Sequence, residues 1–178
     1  MSHSLSKPSP KKIAGRGGVA RRKTARVTLK KAVGTAGVVS YYVYGPAPTD
    51  KARLLLPPAK LVEKLRIGLP VSELNDLQAT LAVPMEKLVP MLGISKATLH
   101  RRKVEGRLDQ AESDRVVRFA RLMGKAVEVL ESEENARQWL TAPQFGLGGA
   151  VPLEYAETEV GAREVENLLG RIEYGVYS

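Results

Sequence analysis

The chain has 178 residues, 43% apolar and 5% aromatic, enough for one ordinary domain or two small ones around an aliphatic core. It has no cysteine, which excludes disulfides, thiol catalysis and Cys-based zinc sites, and its two histidines, His3 and His100, all but exclude a triad or a His-based metal site. The net charge of +9 is uneven: ten Lys/Arg and no acid in residues 1–49, fifteen bases and nine acids in 50–125, three bases and ten acids in 126–178. A basic front and an acidic back point to two kinds of partner, a polyanion and something else.

Residues 1–37 are rich in Lys, Arg, Ser, Gly and Pro with little apolar periodicity. They read as a flexible basic arm, with three open roles: a non-specific phosphate contact, a solvated leader, or an organellar transit segment. Met1 to Pro10 has no apolar stretch of the signal-peptide kind, and no run of the chain nears the roughly 20 apolar residues that span a bilayer. A cytoplasmic protein without a membrane partner is expected. Val38 to Tyr44 (VVSYYVY) is β-branched and aromatic and stops at Gly45-Pro46, which predicts at most one short strand. Prolines 46, 48, 57 and 58 mark a linker, and Leu61, Val62 and Leu65 predict a short helix over 60–68.

From Val71 the helical signals are dense. Ser72 is a candidate cap for a helix with Leu74, Leu77 and Leu81 on one face. Met85, Leu88, Val89 and Leu92 predict a second helix, shortened or kinked by Pro90 and ended by Gly93. Ser95 then caps a third, Lys96 to Val104, with Leu99 toward the core and Ala97 small enough for a close crossing. Helix, Gly-containing turn and capped basic helix form the helix-turn-helix pattern. It leaves Ser95, Lys96 and Thr98 for bases or adjacent phosphates, and His100, Arg101, Arg102, Lys103 and Arg107 for the DNA surface, chiefly phosphate. An exposed basic helix in an ordinary bundle fits the same pattern.

The longest helix is expected from Leu108 to about Glu131, with Val116, Ala120, Met123, Val127 and Leu130 as a stripe for the core or a dimer seam. A further helix over 134–140 carries the only tryptophan. Gly146-Leu147-Gly148-Gly149 lacks the Lys-Ser/Thr of a phosphate cradle and reads as a turn. Pro152 to Tyr155 and, after a Thr158 cap, Glu159 to Leu169 complete the helices, the last with Val160, Val165, Leu168, Leu169 and Ile172 as its apolar residues. The chain then ends on an apolar, aromatic stretch rather than a polar tail, so this end either packs on its own core or fits another molecule.

Trp139-Leu140, Pro143, Leu147-Gly148-Gly149, Pro152-Leu153, Thr158, Gly161, Val165, Leu168-Leu169, Arg171-Ile172 and Gly175-Val176 together resemble the toxin-binding domain of Xre/ParS/MbcA-type antitoxins. Leu92-Gly93-Ile94-Ser95, Thr98-Leu99, Arg101-Arg102, Leu108, Glu112-Ser113 and Arg118 resemble the helix-turn-helix domain of the same family. The resemblance covers about residues 70–178 and leaves 1–69 outside it. It implies an all-α protein in three parts: a basic arm and linker (1–69), an Xre-like helix-turn-helix bundle (70–131) and a small helical toxin-binding domain (132–178). It also implies a RES-domain toxin as partner, an enzyme that consumes NAD or transfers ADP-ribose from it. The C-terminal helix and tail would enter that enzyme's active site, and the chain would bind and repress its own operator.

On that reading Leu168, Leu169, Arg171, Ile172, Glu173, Tyr174, Val176, Tyr177 and Ser178 meet the toxin, with the Ser178 carboxylate in place of a phosphate. The acidic C-terminal part would suit an Arg-lined pyrophosphate cleft. A homodimer or toxin–antitoxin hetero-oligomer is expected, with no catalytic residues, metal or cofactor. The alternative is a stand-alone helix-turn-helix repressor whose C-terminal domain only dimerises; nothing in the sequence favours an enzyme.

Overall fold

The computed structural model describes residues 37–44 and 57–175. Its elements are α1 (Val38–Tyr44), α2 (Pro58–Ile67), α3 (Val71–Leu81), α4 (Met85–Met91), α5 (Lys96–Glu105), α6 (Gln110–Leu130), α7 (Glu133–Thr141), a 3-10 turn (Phe145–Leu147), α8 (Pro152–Tyr155) and α9 (Glu159–Glu173). The described residues contain no strand, only two isolated antiparallel bridges, Pro70 with Arg107 and Gln144 with Ala150. The protein is all-α, as expected.

The long helix α6 organises the rest. Helices α1, α2, α3, α7 and α9 all pack on it. Its start is fixed by a complete capping box: Asp109 Oδ1 accepts from the Glu112 N–H at 2.7 Å, and Glu112 Oε2 accepts from the Asp109 N–H at 2.8 Å. Val116, Phe119, Ala120, Leu122, Met123 and Ala126 are fully buried along it, so the predicted stripe serves the core, with Val127 and Leu130 half-buried at its end. Leu74, Leu77 and Leu81 of α3 and Leu88 and Leu92 around α4 close the same core. Truncating one of these leucines to alanine costs about 2–5 kcal/mol.

Most boundaries follow the caps. Ser95, Ser132 and Thr158 each accept from a backbone N–H at the start of the following helix. Gly93, at φ +63°, makes the turn between α4 and α5. Helix α4 stops at Met91 with Pro90 inside its last turn, where the proline removes one backbone hydrogen bond to the preceding turn.

Four local expectations are corrected. Ser72 caps nothing: α3 begins at Val71 after Pro70, and the Val71 N–H is taken by the Gly106 carbonyl at 3.1 Å. Ala97 makes no close crossing; it lies exposed on α5. The last helix runs four residues beyond Leu169, to Glu173.

The fourth concerns residues 38–44, which form a helix and not a strand. Val38, Val39 and Val43 are buried, a helical rather than an alternating pattern. The Val38 and Val39 N–H groups donate to the buried Glu73 carboxylate of α3, at 2.7 and 2.9 Å. Tertiary partners thus override the β preference of Val and Tyr. The predicted basic arm (up to residue 36) and the linker prolines 46 and 48 lie outside the described residues.

Candidate functional surfaces

Helix α5 is held at both ends. At its start Ser95 Oγ accepts from the Thr98 N–H at 3.0 Å and lies 2.9 Å from Thr98 Oγ1. At its end Gly106, at φ +76°, returns its N–H to the Arg102 carbonyl. Leu99 is half-buried and packs against the core, the inward position expected of it. No residue of α5 is fully buried, so the helix stands proud of the bundle.

The residues expected to meet DNA separate into two sets. Ser95, Lys96, His100, Arg101, Lys103 and Arg107 are exposed, and Thr98 is half-buried. Arg101 keeps 60% of its side chain exposed and reaches Glu105 only at 3.8 Å. Arg107 gives one N–H to the Gly68 carbonyl at 2.9 Å and is otherwise exposed.

Arg102 differs: its side chain is 14% exposed and all three guanidinium nitrogens are engaged. Nη1 donates to Glu105 at 2.8 Å, Nη2 to Asp109 at 2.7 Å and Nε to Glu112 at 2.8 Å. The hydrogen bonds to Glu105 and Glu112 raise its already high pKa further.

At the other end, α9 lies against α6, with Val165 and Leu169 buried in the core and a series of ion pairs between the two helices. Arg118 meets Glu159 at 3.1 Å, Arg121 meets Glu166 at 2.6 Å and Lys125 meets Glu173 at 2.8 Å, in the same order along both helices. Part of the acidic charge of this region is therefore neutralised by its own α6.

Among the nine residues expected to meet a toxin, Leu168 and Leu169 are buried and hold α9 in place. Arg171 and Ile172 are half-buried, and Glu173 is tied to Lys125. Tyr174 stands 80% exposed one residue past the helix. Val176, Tyr177 and Ser178 lie outside the described residues.

Phe145 was not singled out by the sequence reading, yet it is 96% exposed. It sits on the 3-10 turn, whose Gly146 lies so close to Leu168 of α9 that a Cβ there would come within 2.6 Å. Its one sequence signal is a large apolar ring inside a glycine turn. A cavity of about 230 Å³ lies between the α3–α4 turn and the α7–α8 region. Lys87 and Glu154 are its charged lining groups. Among the described residues no cluster of three or more His, Cys, Asp or Glu could hold a metal ion, and no helix is long and apolar enough to cross a membrane.

Residues 60–121 match the family described as the antitoxin Xre-like helix-turn-helix domain. Residues 125–175 match the antitoxin Xre/MbcA/ParS C-terminal toxin-binding domain. The two matches meet inside α6. The antitoxin Xre of Yersinia enterocolitica is 34% identical over 145 residues, covering 76% of this chain and 98% of that protein. The antitoxin Xre of Photorhabdus laumondii is 35% identical over 116 residues, 64% of this chain and 78% of its own length. A Sphingobium protein named Prs ADP-ribosylating antitoxin is 25% identical over 138 residues, 72% of this chain and 87% of its own.

Proposed function

The chain belongs to the Xre/MbcA/ParS antitoxin family, an antitoxin with a helix-turn-helix and a toxin-binding domain, and we propose that it neutralises a RES-domain toxin that consumes NAD or transfers ADP-ribose from it. The observation that carries this is the end of α9. Leu169 buries the helix in the core and Leu168 lies against Gly146 of the 3-10 turn, while Tyr174 projects at 80% exposure just beyond its last turn. An aromatic residue displayed from a fixed helix end can enter a concave site at low entropic cost. The ADP-ribosylating name of the Sphingobium relative adds weight to the NAD chemistry.

On this reading Arg171, Ile172, Glu173, Tyr174, Val176, Tyr177 and Ser178 occupy the toxin's substrate site, and Leu168 and Leu169 support them. The partner is a protein, and this chain itself carries out no reaction.

The same chain binds its own operator through α5 and represses its promoter in the bacterial cytoplasm. Ser95, Lys96 and Thr98 approach base edges or nearby phosphates; His100, Arg101, Lys103 and Arg107 lie along the backbone. The roles divide as arm and linker over 1–69, DNA-binding unit over 70–131 and toxin-binding unit over 132–178. A homodimer, or a hetero-oligomer with the toxin, presents two α5 helices to paired half-sites.

Co-expression with the adjacent open reading frame tests the reading. Rescue of growth and of NAD by the full chain, abolished on deleting residues 174–178, is the expected result. Full rescue by the shortened chain would sink the active-site plug.

A further inference from the structure

We infer that Arg102 is a positioning residue that docks the recognition helix α5 onto the capping box of α6, and that it makes no contact of its own with DNA. The inference rests on α5 being the DNA-reading helix.

Three observations carry it. The first is engagement. Nε, Nη1 and Nη2 each donate to a different carboxylate, at 2.7 to 2.8 Å. Three of its five N–H groups are thereby committed, and the side chain is only 14% exposed, so little of the guanidinium is left to face a phosphate. Arg101 and Lys103 flank it in sequence, each turned about 100° away on the helix, and both are exposed.

The second is the identity of the acceptors. Asp109 and Glu112 are the two members of the box that starts α6. Glu112 Oε2 accepts from both the Asp109 N–H and Arg102 Nε; the two Asp109 oxygens divide between the Glu112 N–H and Arg102 Nη2. The carboxylates that begin α6 are therefore the same ones that grip α5. The connection between the two helices is short, with Gly106 in a left-handed turn and Arg107 bridged to Pro70.

The third is charge. One guanidinium faces three carboxylates, so the cluster carries no net positive charge to offer a phosphate. Asp109 and Glu105 keep 46% of their side chains exposed. Without Arg102 they would present uncompensated negative charge at the C-terminal end of the recognition helix.

The test uses the full chain, a duplex of the DNA immediately upstream of its own reading frame and a duplex of scrambled sequence. Binding is measured across KCl concentrations, and hydrogen exchange is followed at the α5 amides. For Arg102→Gln we expect affinity for the upstream duplex to fall roughly tenfold or more, a salt slope within about half a unit of the parent, and faster exchange along α5. Arg101→Gln and Lys103→Gln should instead make the slope shallower by about one and leave α5 exchange unchanged. An Arg102→Gln slope shallower by about one, with unchanged exchange, would overturn the inference.

Glu112→Gln supplies a second test should Arg102→Gln fail to fold. Glutamine keeps the capping-box acceptor but removes a charge from Arg102. Positioning predicts weaker DNA binding and faster α5 exchange. Tighter DNA binding, from an arginine set free to reach phosphate, would refute it. If the parent binds neither duplex, the DNA reading itself fails. The exchange measurement then still decides whether Arg102 holds α5: faster exchange supports the docking role and unchanged exchange overturns it.

Discussion

The carbonyl oxygen of Tyr42 lies 1.8 Å from where a Cβ on Gly124 would stand. A short helix from the N-terminal segment thus crosses the central helix at the one position that lacks a side chain. On helix propensity alone Gly124→Ala would stabilise α6 by about 1 kcal/mol. Here the methyl group meets backbone, which cannot rotate aside. The expected result is the opposite sign, a loss of about 1–3 kcal/mol in urea unfolding, with α1 displaced from α6. A stabilised Gly124→Ala protein would show that α1 does not dock there.

Glu73 makes a complementary prediction on the same contact. It is 6% exposed, and its two oxygens take the Val38 and Val39 N–H groups. Glu73→Ala leaves two backbone donors without their acceptor and should cost about 1–3 kcal/mol. Limited proteolysis should then cut within residues 37–44, where the parent resists. Equal resistance in both proteins would argue against the contact.

Much of the helical order was legible in the sequence, and the reason is local. Ser95 and Thr158 mark helix starts because each satisfies an amide only three residues away. What escaped depends on distance. The helical state of Val38–Tyr44 is set by Glu73, 34 and 35 residues further on, and no window around VVSYYVY contains that information. The commitment of Arg102 was equally hidden, since two of its three partners lie beyond the end of α5. Glu159, Glu166 and Glu173 read as free charge until α9 is laid against Arg118, Arg121 and Lys125. Family resemblance pointed to α9 and its end, while the exposed Phe145 carried too weak a local signal.

Alkali should loosen the packing on α6 through two groups. Burial first, then neighbouring Tyr41, raises the pKa of Tyr42 above its ordinary value, with Arg121 opposing. The hydrogen bond to Glu173 is the largest cause of the raised Lys125 pKa. A group whose pKa is raised by folding contributes stability that is complete below its unfolded pKa and is lost as pH climbs through the folded value. With unfolded values of about 10 for Tyr and 10.4 for Lys, the melting temperature should fall as pH rises beyond about 10. Tyr42→Phe and Lys125→Gln should each flatten part of that fall. An identical alkaline profile in both variants would remove these groups from the account.

Tyr174 should separate folding from recognition. At 80% exposure its replacement by Ala should move stability by no more than about 0.5 kcal/mol. If it anchors in the toxin, the affinity of the complex should fall by about 2 kcal/mol, roughly thirtyfold, measured by calorimetry with the adjacent toxin. Leu169→Ala should behave in reverse, unfolding the toxin-binding unit by about 2–5 kcal/mol because Leu169 is fully buried. Equal losses of stability in the two variants would mean that the tail is part of the core.

The ten Lys/Arg of the first 31 residues meet no acid before Asp50, so their charge has no local partner in sequence. If they track phosphate, binding should release about 0.9 of a counterion per phosphate neutralised. Deleting residues 1–35 leaves the Val38 and Val39 amides and their Glu73 acceptor in place. The salt dependence of binding to the upstream duplex should then become shallower by about 0.9 for every phosphate the arm had neutralised. Preference for that duplex over a scrambled one should be largely kept, because phosphate contacts carry no sequence information. An unchanged slope would assign the affinity to α5 and its neighbours alone. A shallower slope without that preference would mean that the arm reads the groove as well as the backbone.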